Sequence, residues 1–348
     1  MASLEELGGW RQILSTLTAG QDLSAEQGRT AMETILAGDA SPAQIAGYIV
    51  ALRMKGEAVD EVTGMVEAML GAASPIALPA GVDAIDIVGT GGAPSRRVHA
   101  LNVSTISCFV AAGAGAKVCK HGNRKASSTS GSTDVLDALG IGVELDGPGV
   151  ARCVDEVGVG FCFARVFHPA MRHAGPVRAE LGVPTVFNFL GPLANPARVR
   201  RQVIGVADLR VAPTVVGVLR QRDFARAMVV HGHDQMDEIT LTGPSTIFEL
   251  RAGEVREYEL DPTSLGLALA TPEQLRGGDA EANAAIARAV LGGETGPYRD
   301  IVLLNAAAGL VVAGVVDDLG GGLEAARASI DGGKAAAALE ALIAVSNA

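Results

Sequence analysis

The stretch AIDIVGTGGAPSRRVHALNVSTISCFVAAGAGAKVC, residues 84–119, decides the fold class. Its apolar run at 84–88 is typical of a buried strand, and residues 104–115 have the pattern of a helix. A second short apolar run follows at 116–119. Strand, helix and strand in alternation predict a sheet with helices on its faces. We therefore expect an α/β fold.

The alternation continues towards the C-terminus. Residues 133–139 read as a helix that ends at Gly140, and the alanine-rich C-terminal third is also helical. The segment 238–260 reads as antiparallel β, with turn residues at Gly243-Pro244 and Gly253. This pattern predicts a large α/β domain with a mixed central sheet and flanking helices. Further strands are expected at 161–166, 202–206 and 226–231.

Residues 1–73 contain helical patterns only. Ser24-Ala-Glu-Gln27 and Ser41-Pro-Ala-Gln44 are both capping boxes, which mark helix N-termini. A linker with two prolines, AASPIALPAG, follows at 72–81. We expect a small all-helical N-terminal domain, residues 1–75, ahead of the large α/β domain, residues 82–348.

The composition excludes several classes of function. The net charge is −11 and aromatic residues make up 3% of the chain, which disfavours a nucleic-acid or anionic-membrane surface. The N-terminus has no basic region followed by an apolar run, and the longest apolar run, 301–316, is too short to span a membrane. Four cysteines in apolar stretches fit buried thiols. The expectation is a cytoplasmic protein that contacts neither nucleic acid nor membrane.

Two short polar motifs come next to predicted strands and helices. Gly89-Thr-Gly-Gly92 follows the first strand, where successive N–H groups can bind an anion, although an ordinary turn would have the same residues. It is neither a dinucleotide fingerprint nor a P-loop. Asn102-Val-Ser-Thr105 precedes a helix, and it is either a plain N-cap or a phosphate site at the helix N-terminus.

The segment 120–132, KHGNRKASSTSGS, is the most informative motif. It places three cations, an asparagine and many hydroxyls beside glycines, between an apolar strand and an apolar helix. Such a loop offers several hydrogen-bond donors to phosphate oxygens. The sequence therefore predicts a phosphate-binding loop here.

Asp237 and Glu238 are adjacent carboxylates in a predicted strand-end loop. Such a pair suits Mg²⁺, which keeps waters and bridges substrate phosphates, although a solvated acidic turn is the commoner explanation. His231 and His233 suggest a transition-metal site, but no third soft ligand follows at a suitable spacing.

Arg172 and Arg178 are six residues apart on a helix that proline interrupts, where a guanidinium can bind a substrate carboxylate. Either arginine could instead be a surface residue or an ion-pair partner. The segment 314–320, GVVDDLG, superficially resembles the acidic loop of the classical phosphoribosyltransferases. No phosphate loop follows it, so we assign it no role.

These motifs, in this order, resemble those of the anthranilate phosphoribosyltransferases, and the resemblance covers essentially the whole chain. The blocks at 120–132 and 187–196, FNFLGPLANP, carry it most specifically. It implies transfer of the 5-phosphoribosyl group from phosphoribosyl pyrophosphate to the amine of anthranilate, with release of pyrophosphate, in tryptophan biosynthesis. It also implies Mg²⁺ as cofactor, a homodimer through the small domain, and completion of that domain by helices around 168–195.

The resemblance also implies roles for individual residues. Those implied for the pyrophosphate donor are Gly89, Gly92, Ala93, Asn102, Val103, Ser104, Thr105, Lys120, His121, Gly122, Asn123, Arg124, Lys125, Ala126, Ser127, Ser128 and Ser132. Those implied for anthranilate are Gly89, Asn123 and Arg178. Those implied for the metal are Ser104, Asp237 and Glu238.

The chemistry agrees with these roles. Departure of pyrophosphate builds negative charge that a metal, Lys120 and backbone N–H groups can stabilise. Anthranilate carries a neutral amine, so no strong general base is required, and His121 or His168 can take the proton.

The chain departs from the family pattern at one loop. Ala93 replaces an acidic residue, and three extra residues precede Asn102. We expect Arg96 or Arg97 of this loop to contact the pyrophosphate, or both to point to solvent.

Three alternatives stay open. A pyrimidine-nucleoside phosphorylase would bind free phosphate and a nucleobase in the same fold. A phosphoribosyltransferase for another aminobenzoate would share every motif. A non-catalytic relative that binds nucleic acid is a third possibility, which the charge disfavours.

Overall fold

The computed structural model describes residues 2–91, 101–124 and 130–348. The N-terminal part is helical, as predicted. Both capping boxes are present, with Ser24 and Ser41 accepting from the backbone N–H of Gln27 and Gln44. The helices of this part are α1 (Gly9–Thr18), α2 (Ala25–Ala37), α3 (Pro42–Lys55) and α4 (Val59–Gly71).

The rest of the described chain is a seven-stranded sheet with helices on its faces. The strands are β1 (Ile85–Gly89), β2 (Val118–Gly122), β3 (Val159–Phe163), β4 (Arg201–Gly205), β5 (Arg226–Gly232), β6 (Ser245–Arg251) and β7 (Glu254–Leu260). The helices are α5 (Val103–Gly113), α6 (Ser132–Leu139), α7 (Gly147–Val157), α8 (Ala164–Phe167), α9 (Gly175–Leu181), α10 (Phe187–Leu193), α11 (Ala212–Gln221), α12 (Ala280–Leu291), α13 (Pro297–Ala313), α14 (Leu319–Asp331) and α15 (Lys334–Ser346).

The sheet is mixed, which confirms the predicted fold class. Its strand order is β3-β2-β1-β4-β5-β6-β7. The first five of these strands are parallel, and β6 and β7 add to the edge in antiparallel pairing. The order reverses between β1 and β4, and ligands bind beyond the carboxyl ends of parallel strands at such a switch point.

Successive residues of the central strands point to opposite faces and so join two different cores. Ile87 and Val203 pack with α5 and the C-terminal helices α12–α15 on one face. Their neighbours Val88 and Ile204 pack with α1–α4 and α9–α11 on the other. The N-terminal helices therefore lie against the sheet beside the switch point.

Three predicted strands have clearly different bounds in the structure. The strand expected at 116–119 is β2, Val118–Gly122. The strand expected at 161–166 is β3, because it pairs residue for residue with β2 and the chain enters α8 at Ala164. Of the segment 238–260, residues 238–244 are not a strand. Side chains hold them instead, since Asn305 binds the backbone of Ile239 and Asp234 accepts from Thr240 and Thr242.

The longest apolar run lies mainly in α13, and this helix is almost entirely buried in the core. Within the described residues, none of the helices has the length and apolar character needed to cross a bilayer. The cysteines are free and buried, as expected, at positions Cys108, Cys119, Cys153 and Cys162.

Candidate active site

A cleft of about 590 Å³ opens at the carboxyl ends of β1, β2 and β5, beside the helices 169–193. Nearly all the described site residues predicted from the sequence line it. Val103 is the exception, since its side chain is buried in the core. Gly92, Ala93, Lys125–Ser128 and the arginines Arg96 and Arg97 lie outside the described residues. The predicted residues that line the cleft are Gly89, Asn102, Ser104, Thr105, Lys120, His121, Gly122, Asn123, Arg124, Ser132, His168, Arg178, Asp237 and Glu238.

Two glycines allow the acidic pair to sit directly over the strand ends. Gly89 of β1 and Gly205 of β4 are register partners. A Cβ at Gly89 would overlap the Asp237 carboxylate, and a Cβ at Gly205 would overlap its carbonyl oxygen. The Gly91 N–H donates to Asp237 Oδ2 at 2.8 Å. The sequence singled out Gly89 but missed Gly205, whose only signal was its place at the end of a strand.

The N-terminus of α5 presents hydroxyls to the cleft. Asn102 occupies the N-cap position, but its side chain does not cap the helix. Its Oδ1 instead accepts from Asn283 Nδ2 at 2.9 Å. Ser104 is half-buried, and the buried Thr105 hydroxyl has no hydrogen-bond partner among the described residues. This helix end is thus not the plain side-chain cap that the sequence allowed.

Lys120 is buried with 2% of its surface exposed. Its Nζ donates to the Ile87 carbonyl at 2.7 Å, which holds the ammonium under the end of β1. Asp86 lies behind it and accepts from His121 N, and burial raises the pKa of Asp86 to about 6 against the opposing effect of Lys120. Sequence reasoning missed Asp86, which gave no signal beyond one acidic residue within an apolar strand.

The loop after β2 is tied to the start of α6. Ser132 Oγ donates to the Asn123 carbonyl and accepts from its N–H, both at 3.2 Å. A Cβ at Gly122 would overlap Ser132 Oγ, so this close approach requires glycine. The Arg124 guanidinium forms ion pairs with Asp134 and Asp137. In this arrangement its charge is directed to α6.

Arg178 lies on α9 at the other side of the cleft. Its guanidinium carbon is 5.0 Å from the centre of the Phe187 ring. Burial lowers the pKa of Arg178, and no carboxylate among the described residues forms an ion pair with it. Arg172 also lines the cleft, but it is exposed and donates to the Pro169 carbonyl at 3.3 Å. Arg178 is therefore the better placed cation for an incoming carboxylate.

His121 and His168 face each other in the cleft, with ring centres 5.1 Å apart. His121 Nδ1 lies 3.0 Å from the Gly191 carbonyl, which can only accept, so Nδ1 carries the proton. The Nε2 atoms of both rings are buried and have no partner among the described residues. Burial lowers the pKa of His121 to about 3 and that of His168 to about 4. Both rings are neutral near pH 7.

The oxygen donors of Ser104, Asp237 and Glu238 suit a hard cation that is completed by water and substrate phosphates. Both carboxylates are 6% exposed and border the cleft. The described residues contain no cluster of three His, Cys, Asp or Glu side chains that would enclose a metal. His231 Nδ1 donates to the Val206 carbonyl, and no group of three metal-binding side chains forms around this histidine among the described residues. The residues thus fit Mg²⁺ held jointly with a phosphorylated ligand.

Two family models match the chain. One is described as the helical bundle domain of a glycosyl transferase family and matches residues 11–73. The other is described as the a/b domain of a glycosyl transferase family and matches residues 81–336. Together they span most of the sequence.

Named relatives and solved structures are also similar over nearly the whole chain. The anthranilate phosphoribosyltransferase of Arthrobacter sp. (strain FB24) is 53% identical, over 99% of this chain and 98% of the relative. That of Thermomicrobium roseum is 51% identical, over 97% of both. The crystal structure of anthranilate phosphoribosyltransferase from Thermus thermophilus matches with a TM-score of 0.90 and 43% identity, over 97% of this chain and 99% of that one. The structure of the Saccharomyces cerevisiae enzyme in complex with PRPP and Mg matches with a TM-score of 0.87 and 27% identity, over 97% and 98%.

Proposed function

We propose that this chain, which belongs to the anthranilate phosphoribosyltransferase family, transfers the 5-phosphoribosyl group of phosphoribosyl pyrophosphate to the amine of anthranilate and releases pyrophosphate, in tryptophan biosynthesis. One observation carries the proposal. A single cleft at the switch point of the sheet brings together a buried lysine, an acidic pair and an arginine that no described carboxylate neutralises. These are the groups that a phosphorylated donor and a carboxylate acceptor require.

The donor binds along the strand ends and the N-terminus of α5. The hydroxyls of Ser104 and Thr105 can donate to phosphate oxygens at this helix N-terminus. Lys120 supplies a fixed positive charge where the leaving pyrophosphate develops negative charge. The full set proposed for the donor, by family resemblance, is Gly89, Gly92, Ala93, Asn102–Thr105, Lys120–Ser128 and Ser132.

Asp237, Glu238 and Ser104 would hold Mg²⁺ together with the donor. When bound there, the ion would neutralise charge on the departing pyrophosphate. The Asp237 carboxylate is held in place without it, because it accepts from Gly91 N–H and packs on Gly89. Binding therefore requires little reorganisation of the Asp237 side chain.

Anthranilate binds on the Arg178 side, with its carboxylate on the guanidinium and with Gly89 and Asn123 as further contacts. The Nε2 lone pairs of His121 and His168 are hydrogen-bond acceptors that suit an aromatic amine. Either ring can take the proton that the amine loses after it attacks the ribose carbon. Positioning of the two substrates supplies most of the remaining rate.

We also propose a homodimer through the small domain, with residues 1–75 and helices around 168–195 as one unit and residues 82–348 as the other. Met54 and Val183 are 84% and 51% exposed and border a second groove of about 420 Å³. Such an exposed apolar pair at a groove supports a protein contact. Four buried free thiols support a reducing, cytoplasmic location.

The test measures product formation from phosphoribosyl pyrophosphate and anthranilate with and without Mg²⁺. The variant Asp237→Asn with Glu238→Gln should keep the fold and reduce turnover by orders of magnitude. The matched control is Asp155→Asn with Glu156→Gln, the same dipeptide on an exposed part of α7, which should keep wild-type turnover.

Wild-type turnover in the Asp237 and Glu238 variant at low Mg²⁺ would overturn the metal assignment. Parallel reactions separate the alternatives. Phosphate-dependent cleavage of uridine would indicate a nucleoside phosphorylase, and faster turnover of another aminobenzoate would change the acceptor.

A further inference from the structure

Asn305 interrupts the otherwise apolar segment 301–316 of the core helix α13. Its amide is buried, with 1% of the residue exposed. Oδ1 accepts from the Ile239 N–H at 3.0 Å, and Nδ2 donates to the Ile239 carbonyl at 2.9 Å. Nδ2 also donates to the Ile301 carbonyl one helical turn earlier. The side chain thus binds both peptide groups of one residue in a distant loop.

Ile239 directly follows the acidic pair Asp237-Glu238. On the other side of that pair, Asp234 Oδ1 accepts from the Met236 N–H at 3.1 Å. The acidic pair therefore lies between two fixed points of the backbone. The fixed point at Ile239 depends on a side chain from α13, 66 residues further along the chain.

An apolar residue at position 305 would suit this helix better if packing were its only role. The neighbouring residues of α13 are buried and apolar, and a buried amide is costly unless its hydrogen bonds are made. Asn305 makes three such bonds, two of them to the residue beside the carboxylates.

We propose that Asn305 is a positioning residue that fixes Asp237 and Glu238 for a divalent cation, an inference that rests on the metal role given under the proposed function. Removing the amide leaves the Ile239 N–H and carbonyl buried without partners, so the loop must shift to satisfy them. Groups bonded directly to a metal ligand typically change metal affinity roughly 10- to 100-fold when they are removed, and we expect the lower end of that range for Asn305, which acts through the Ile239 backbone.

The test compares Asn305→Leu, which is similar in size, with Asn305→Ala and the control Ser329→Ala. Ser329 is equally buried and donates to the Val110 carbonyl between α14 and α5, away from the acidic pair. Binding of Mn²⁺ is measured by electron paramagnetic resonance with phosphoribosyl pyrophosphate present, alongside thermal unfolding. We expect both Asn305 variants to bind Mn²⁺ roughly tenfold or more weakly. The Ser329 variant should lose thermal stability only.

Steady-state rates add a second readout. Higher Mg²⁺ should restore much of the turnover of the Asn305 variants, and their KM for anthranilate should stay unchanged. A Mn²⁺ affinity within about twofold of wild type in a folded Asn305 variant would overturn the inference, since the loss of such an orienting group costs about tenfold or more. If Asn305→Leu does not fold, Asn305→Ala carries the same expectation.

The variant Asp237→Asn with Glu238→Gln tests the metal role of the acidic pair separately from the positioning role of Asn305. If it binds Mn²⁺ as tightly as wild type, the metal role itself is wrong. If it binds weakly while the Asn305 variants bind normally, the metal role stands and the role of Asn305 is refuted.

Discussion

Replacing Arg178 with alanine should weaken anthranilate binding and leave donor binding nearly unchanged. The guanidinium stacks on Phe187 and is held at the cleft by that contact. Burial lowers its pKa, so the site disfavours the isolated charge, yet an arginine stays protonated at neutral pH. A substrate carboxylate would offset that cost.

The magnitude follows from the charge-assisted hydrogen bonds that the variant loses. Bonds to charged groups are worth about 1.5–3 kcal/mol, and about 1.4 kcal/mol corresponds to a factor of ten. The KM for anthranilate should therefore rise roughly 10- to 100-fold in Arg178→Ala. Arg178→Lys keeps the charge but lacks the planar guanidinium, so its KM for anthranilate should lie between those of wild type and Arg178→Ala.

The assay follows consumption of anthranilate at saturating donor, and in parallel that of aniline, which has no carboxylate. Wild type should prefer anthranilate over aniline. In Arg178→Ala this preference should shrink by the same factor by which the KM for anthranilate rises. The control Arg172→Ala removes a second cleft arginine whose guanidinium is exposed and bound to a carbonyl. Arg172→Ala should change the KM for anthranilate and the KM for aniline by less than about twofold.

Three results would refute the role of Arg178. An effect of Arg178→Ala confined to the donor KM would place the arginine on the wrong substrate. An equal loss for anthranilate and aniline would show that the carboxylate is not its partner. A large effect in Arg172→Ala alone would transfer the role to that residue.

Two further predictions concern stability. Burial lowers the pKa of His121 to about 3 and of His168 to about 4, so both stay neutral in the folded protein while the unfolded chain takes up protons below about pH 6.5. The two histidines therefore leave the free energy of unfolding at its full value above about pH 6.5, and this free energy falls as the pH drops towards the folded pKa values. At about pH 5 each buried histidine should lower the free energy of unfolding by about 2 kcal/mol. Urea unfolding at about pH 7.5 and about pH 5 measures the drop in the free energy of unfolding between the two pH values. A smaller drop in His168→Asn than in wild type would support the prediction, whereas an equal drop would contradict it. Gln235 has φ of +66°, a left-handed conformation that costs a side chain about 1–2 kcal/mol. Gln235→Gly should therefore raise the free energy of unfolding by up to about 1 kcal/mol after the entropy cost of glycine, and a clear decrease would contradict the argument.

Local features of the structure could be read from the sequence with good accuracy. The capping boxes at Ser24 and Ser41 join groups three residues apart, so their geometry follows from spacing alone. The strand at 84–88 and the helix after Asn102 were also predicted, because buried parallel strands and helices have distinct apolar patterns. The bounds of β3 were displaced, since its extent depends on pairing with β2 and not on its own residues.

The site was predicted in parts. Motif resemblance found many of the polar residues that line the cleft, including Lys120, Arg178 and the acidic pair. It missed Gly205, Asp86 and Asn305, which act on other residues and carry no motif of their own. The ion pairs of Arg124 with α6 were also not foreseen. No sequence pattern records which distant backbone group a buried side chain will reach.

The sequence by itself determined the helical N-terminal part, the α/β alternation and the residue types that phosphate, a divalent cation and a carboxylate need. These follow from interactions within a few residues and from side-chain chemistry. Only the tertiary structure decided how those residues meet. Gly91 and Asp237 are 146 residues apart, yet they hydrogen-bond because the sheet reverses its strand order between β1 and β4. Which strands become neighbours depends on burying both faces of the sheet at once, and no single segment contains that information.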